Sequence, residues 1–111
     1  MSRDKALAAD ILLAGRQALV FIKGMTQEQF LNDSKTQAAV LMELVVIGEA
    51  VKGLSKEFKA SSPDIPWKRV AGMRDRLIHD YRNWDLEEIW RTVQERVPEL
   101  VQALEKHVVG E

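Results

Sequence analysis

Residues 38–51 read AAVLMELVVIGEAV, an apolar run in which only Glu43 and Glu49 carry charge. It falls short of the roughly 18 apolar residues that a membrane span requires. It is also longer than an ordinary strand. As a helix it is apolar on nearly every side. Such a helix lies at the centre of a bundle, or buries one face against a second subunit, or both. A homodimer is therefore expected. The rest of the chain must supply the helices that pack around it.

It does so with period-3.6 patterning throughout. Over residues 4–23, Leu7, Ile11, Ala14, Ala18 and Ile22 recur three to four apart, which is a helical apolar stripe. Gly15 interrupts that pattern at a cost of roughly 1 kcal/mol against alanine, for which close helix packing is the plain reason. Gly24 suits a left-handed C-cap. Thr26 and Gln29 have capping-box spacing before a short helical segment that tucks Phe30 and Leu31 onto the core. A second long helix starts at Asp33 or Ser34 and is expected to reach about Phe58. Turn formers fill 59–66, and Pro66 introduces a third helix running to about Ile78, with Trp67, Val70, Met73 and Leu77 inward. Residues 79–85 read as an interruption. Asp85 and Glu88 again have capping-box spacing, and a fourth helix over 86–107 presents Leu86, Ile89, Trp90, Val93, Val97, Leu100, Val101 and Leu104. Pro98 should kink or divide it. No stretch alternates as a strand does. The expected fold is all-α, a four- or five-helix up-down bundle forming a single domain over residues 1–111.

The chain has no cysteine, which removes disulfides, thiolate metal ligands and thiol nucleophiles and fits a reducing cytoplasm. The opening MSRDKALAAD is too charged for a signal peptide, and no membrane segment is expected. A net charge of -1 and a pI near 6.1 exclude broad coating of nucleic acid by net charge. They leave room for a local phosphate site built from a few arginines.

Such a cluster exists. RDRLIHDYRNWD, residues 74–85, gathers three arginines, three aspartates, a histidine and a tyrosine where a helix meets a connection. Its chemistry suits phosphodiester transfer in RNA. His79 can move a proton near neutral pH. Arg74 can hold a phosphate and stabilise charge on its equatorial oxygens. With the internal 2′-hydroxyl as nucleophile, neither a metal, a cofactor nor a covalent enzyme intermediate is needed. Tyr81 can position the phosphate or stack on a base, and Asp75 can orient His79 or Arg74. Five residues apart, Arg74 and His79 diverge by about 140° on an ideal helix. They converge only if the helix bends or a second subunit brings its own copy close.

Each of these residues also has a structural reading. His79 can be a helix-end side chain, Arg74 an ion-paired one, Asp75 and Arg76 surface charges, and Tyr81 and Trp84 packing residues that fix the turn. His107 sits in the last turns of helix four, where the dipole favours a cation, and makes no metal site with His79. Glu43 and Glu49 point about 120° apart on one helix, so they do not work as a carboxylate pair. Glu49 can instead reach Arg74 or Arg76 and support the cluster from behind.

IPWKRVAGMRDRLIHDYRNWDLEEIW, residues 65–90, resembles the signature region of the HepT-like (DUF86) proteins of the HEPN superfamily. VLMELVVIGEAVKGLSKEF, residues 40–58, resembles that family's second helix. The family motif is an arginine, four to six residues, a histidine, one residue and a tyrosine. Here these are Arg74, His79 and Tyr81. The resemblance implies a HEPN-like helical homodimer whose two motifs face a shared cleft. It implies a metal-independent ribonuclease toxin with Arg74 and His79 as the catalytic pair and Asp75 as the polar residue after the arginine. The implied partner is a minimal nucleotidyltransferase antitoxin of the MntA type, which in this family can transfer AMP from ATP onto the motif tyrosine, here Tyr81. The RNA substrate would be tRNA or mRNA. Two other readings stand beside it: a non-catalytic helical dimer that binds nucleotide or the partner, and an unrelated structural dimer.

Overall fold

The structure, a computed structural model, describes residues 2–80 and 83–109, with the side chains of 3–80 and 83–106. In chain order the helices are α1 (Ser2–Ile22), α2 (Gln27–Leu31), α3 (Ser34–Gly53), α4 (Lys56–Ala60), α5 (Trp67–His79), α6 (Leu86–Arg91) and α7 (Val97–Val109). A π-helical turn, Thr92–Arg96, joins α6 to α7. The described residues contain no strand. Four rods carry the bundle: α1, α3, α5 and the α6–α7 run.

α3 packs between α1 and α5, and α7 packs against α1. α3 buries Val40, Leu41, Leu44, Ile47, Ala50 and Val51. The molecule measures 41 × 29 × 20 Å, so its short axis is about two helix diameters. A slab that thin leaves part of even a central helix uncovered. Met42 and Val46 stay 62% and 37% exposed on α3, and Leu13 and Val20 on α1 and Ile78 on α5 are exposed too.

The short-range signals fold as read. α1 gives way at Gly24, whose φ is 75°. The capping box closes both ways: the Gln29 N–H donates to Thr26 Oγ1 at 3.1 Å and the Thr26 N–H to Gln29 Oε1 at 2.9 Å. Phe30 is fully buried and meets Trp90 with ring centroids 5.3 Å apart.

One long helix differs from expectation, and another divides where Pro98 was expected to kink or divide it. α3 stops at Gly53 rather than near Phe58, and α4 is a separate turn. The cause lies fifty-one residues away, at Asp4. The Ser55 N–H, which would continue the helix, donates to Asp4 Oδ1 at 2.8 Å, and its hydroxyl donates to Oδ2 at 2.6 Å. Asp4 is buried, and these two bonds hold its carboxyl below the usual range. Ser55 Oγ then accepts the Phe58 N–H and starts α4. Around Pro98 the chain divides without breaking. Proline there lacks a donor and would clash with the carbonyl four residues back. The π turn opens the ladder just before it, with the Val97 N–H bonded to the Thr92 carbonyl. Asp85 caps α6 through the Glu88 N–H at 3.1 Å, while the Glu88 side chain turns to Arg76. No described helix is long and apolar enough to cross a membrane.

Candidate active site

Arg74 lies in the middle of α5 and faces α3. The residue opposite is Gly48, and a Cβ built there would stand 2.2 Å from the Cβ of Arg74 and 3.4 Å from its Cα. No other residue type fits unless the helices part. The stem of Arg74 therefore crosses α3 at Gly48, and the guanidinium emerges beside the next residue, Glu49.

Four charges meet at this crossing. Arg74 Nη2 stands 2.6 Å from Glu49 Oε2, and Nη1 stands 2.9 Å from Asp75 Oδ1. Lys52 Nζ reaches the same Asp75 oxygen at 2.6 Å. The Nε of Arg74 is buried with no partner among the described residues. Hydrogen bonds from Lys52, then from Arg74, hold the Asp75 carboxyl below its ordinary value. The bond to Asp75, with Glu49's charge adding to it, keeps the guanidinium above its own ordinary value against the pull of burial. Two cations and two carboxylates leave the crossing close to neutral.

His79 is the last residue of α5 and is exposed. Its ring has no partner among the described residues. α5 remains helical through His79, so Arg74 and His79 leave the axis about 140° apart. The helix does not bend to bring them together within one chain. The described residues on either side of 81–82 bond back to α5: the Asp80 N–H donates to the Arg76 carbonyl at 2.9 Å, and the Trp84 indole donates to the Leu77 carbonyl at 3.1 Å. Trp84 thus satisfies one of the carbonyls that a helix end leaves open. Tyr81 lies outside the described residues, as does the side chain of His107.

Arg76 belongs elsewhere. Two residues after Arg74, it projects from the far side of α5, where its Nη1 meets Glu88 Oε1 at 3.2 Å. This pair ties α5 to α6 beside a groove of ≈ 630 Å³ floored by Leu44 and Ile47. Of the two partners the sequence allowed Glu49, the structure selects Arg74. Glu43 is partly buried on another side of α3, and burial pushes its carboxyl up. Among the described residues no three His, Asp or Glu side chains gather as a metal site. Gly48 and Lys52 were not singled out in the sequence. The signal available was a glycine inside a helix, a costly choice that asks for a packing reason. Lys52 follows four residues later on the same face.

Residues 11–107 match the family model described as ribonuclease HepT-like. A protein of Methanocaldococcus jannaschii named as a candidate RNase is 42% identical over 110 residues, 96% of this chain and 91% of that protein. A candidate ribonuclease HepT of Thermococcus cleftensis is 45% identical over 86 residues, 78% of each chain. A candidate RNase of Caldanaerobacter subterraneus subsp. tengcongensis is 44% identical over 79 residues, 71% of this chain and 70% of that one. No solved structure matches. With its model spanning the bundle and the Arg74–His79 helix, and with relatives alike over nearly the whole chain, the protein belongs to the ribonuclease HepT-like family of the HEPN superfamily.

Proposed function

We propose that the chain is the ribonuclease toxin of a toxin–antitoxin pair and cleaves RNA as a homodimer without a metal ion. The observation that carries this reading is Arg74, braced by Glu49 and Asp75 on the helix that ends in an exposed His79 with no partner among the described residues. A dimer is supported by the uncovered side of α3. Met42, Val46 and Glu49 follow at spacings of four and three along one face, so an apolar strip leads directly to the Arg74 crossing. A second subunit covering that strip would bring two copies of the motif into one cleft. It would also resolve the divergence of Arg74 and His79 within a chain.

In the reaction the 2′-hydroxyl oxygen attacks the adjacent phosphorus and the bond to the 5′-oxygen breaks. One His79 takes the proton from the 2′-hydroxyl, and the partner's copy gives one to the departing 5′-oxygen. Arg74 stabilises the charge that grows on the non-bridging oxygens. The products are a 2′,3′-cyclic phosphate and a 5′-hydroxyl.

Silencing would come from a partner nucleotidyltransferase that moves AMP from ATP to the Tyr81 hydroxyl and releases pyrophosphate. The new phosphodiester would compete with RNA for Arg74. The test uses purified protein of confirmed unmodified mass, the nucleotidyltransferase and ATP. The unmodified chain should cleave RNA, then gain the mass of one AMP and stop. Tyr81→Phe should keep cleaving throughout. Cleavage lost while Tyr81 stays unmodified contradicts the silencing step. A silent, unmodified chain contradicts the ribonuclease. It would favour a non-catalytic nucleotide- or partner-binding dimer, to which the engagement of Arg74 by two carboxylates lends some support.

A further inference from the structure

We propose that Lys52 and Arg74 together form a two-cation seat for a phosphodiester of RNA, which Asp75 occupies while the site is empty. This deepens the ribonuclease reading and rests on it. Lys52 Nζ and Arg74 Nη1 converge on one oxygen, Asp75 Oδ1, at 2.6 and 2.9 Å. A single carboxylate oxygen bridging an ammonium and a guanidinium stands where a non-bridging phosphate oxygen would sit between the same donors.

The exposures set the order of approach. The side chains of Asp75 and Lys52 are 44% and 40% exposed, and that of Arg74 is 23% exposed. A ligand arriving from solvent meets the lysine and the aspartate first. Asp75 can swing away at little cost, because ion pairs this open to water are weak. A phosphodiester carries one negative charge, so exchanging it for Asp75 preserves the charge balance of the crossing. Glu49 meanwhile keeps its grip on Nη2 and holds the guanidinium plane, leaving Nη1 to turn to the phosphate. Arg76 is not available to this seat, since it is tied to Glu88 on the far side of α5.

The seat is tested with a 2′-O-methylated oligoribonucleotide, which binds but offers no 2′-hydroxyl for cleavage. Dissociation constants would be measured across a salt series for the wild type, Lys52→Met and Lys52→Arg. Losing one phosphate contact to single-stranded RNA lowers the slope of log affinity against log salt by about 0.7. Lys52→Met is expected to show that smaller slope and an affinity about 5–10-fold weaker at 0.1 M salt. Lys52→Arg should restore both. A salt bridge with only a structural role would leave the slope unmoved. RNA binding with unchanged slope and affinity in Lys52→Met overturns the seat and leaves the ribonuclease reading standing. No binding of the oligoribonucleotide by wild-type protein overturns both.

Discussion

Arg74→Ala should lower the single-turnover rate of RNA cleavage by about 10²–10³-fold, the usual loss when a donor to a developing oxyanion is removed. The fold should survive, because the carboxylates it leaves, Glu49 and Asp75, are 62% and 44% exposed and can be hydrated. Arg74→Lys should not restore the rate. The guanidinium reaches Glu49 through one nitrogen and Asp75 through another, and an ammonium has no planar fork to do both. Single-turnover kinetics beside a thermal melt separate the two effects. A rate within threefold of wild type and an unchanged melt would remove Arg74 from the chemistry.

Gly48→Ala should damage stability and activity together. The added Cβ would stand 2.2 Å from the Cβ of Arg74, an atom fixed to the α5 backbone, so rotating the arginine cannot relieve it. The helices must separate. Overpacking of this kind costs about 1–3 kcal/mol, against roughly 1 kcal/mol regained from helix propensity. A net loss near 1 kcal/mol lowers Tm by several degrees in a domain of this size. Separation also moves the guanidinium away from Glu49, so cleavage should fall at least tenfold, beyond what unfolding explains at the assay temperature. Gly15→Ala is the comparison. Its Cβ would meet the Cγ2 of Val101 at 2.8 Å and the Cγ1 of Val97 at 3.5 Å, side-chain tips on α7 away from the crossing, and cleavage should be kept. Equal rates for Gly48→Ala and wild type would mean that the close approach does not position Arg74.

What could be read along the chain was whatever is local or periodic. The apolar stripe of α1, the box of Thr26 and Gln29, the turn at Gly24 and the cap at Asp85 each involve residues within a few positions of one another. Neighbouring residues also placed the polar cluster on α5 and the turn that follows it. What escaped depends on contacts between distant positions. Nothing near Ser55 announces that its N–H will go to Asp4. The π turn is how this chain accommodates Pro98; from sequence, a break or a kink was equally open.

The candidate site divides along the same line. Arg74, Asp75 and His79 could be singled out by residue type and spacing, and Glu49 by its charge within an apolar helix. Lys52 on α3 and Asp75 on α5 meet only once the two helices cross. Gly48 matters only because of what lies opposite it. Arg76, two residues from Arg74, parts from it because two positions on a helix lie about 160° apart. Residue type placed both arginines in one cluster, and helical geometry sends them to opposite sides of α5.

In the proposed reaction His79 and the substrate's own 2′-hydroxyl cleave RNA without a metal ion. The most direct measurement is incubation of unmodified protein with tRNA and total RNA in excess EDTA, beside His79→Ala, with analysis of the new ends. Cleavage that survives EDTA, leaves 2′,3′-cyclic phosphates and 5′-hydroxyls, and disappears in His79→Ala is the predicted result. Cleavage that EDTA abolishes, or that His79→Ala retains at the wild-type rate, would contradict it.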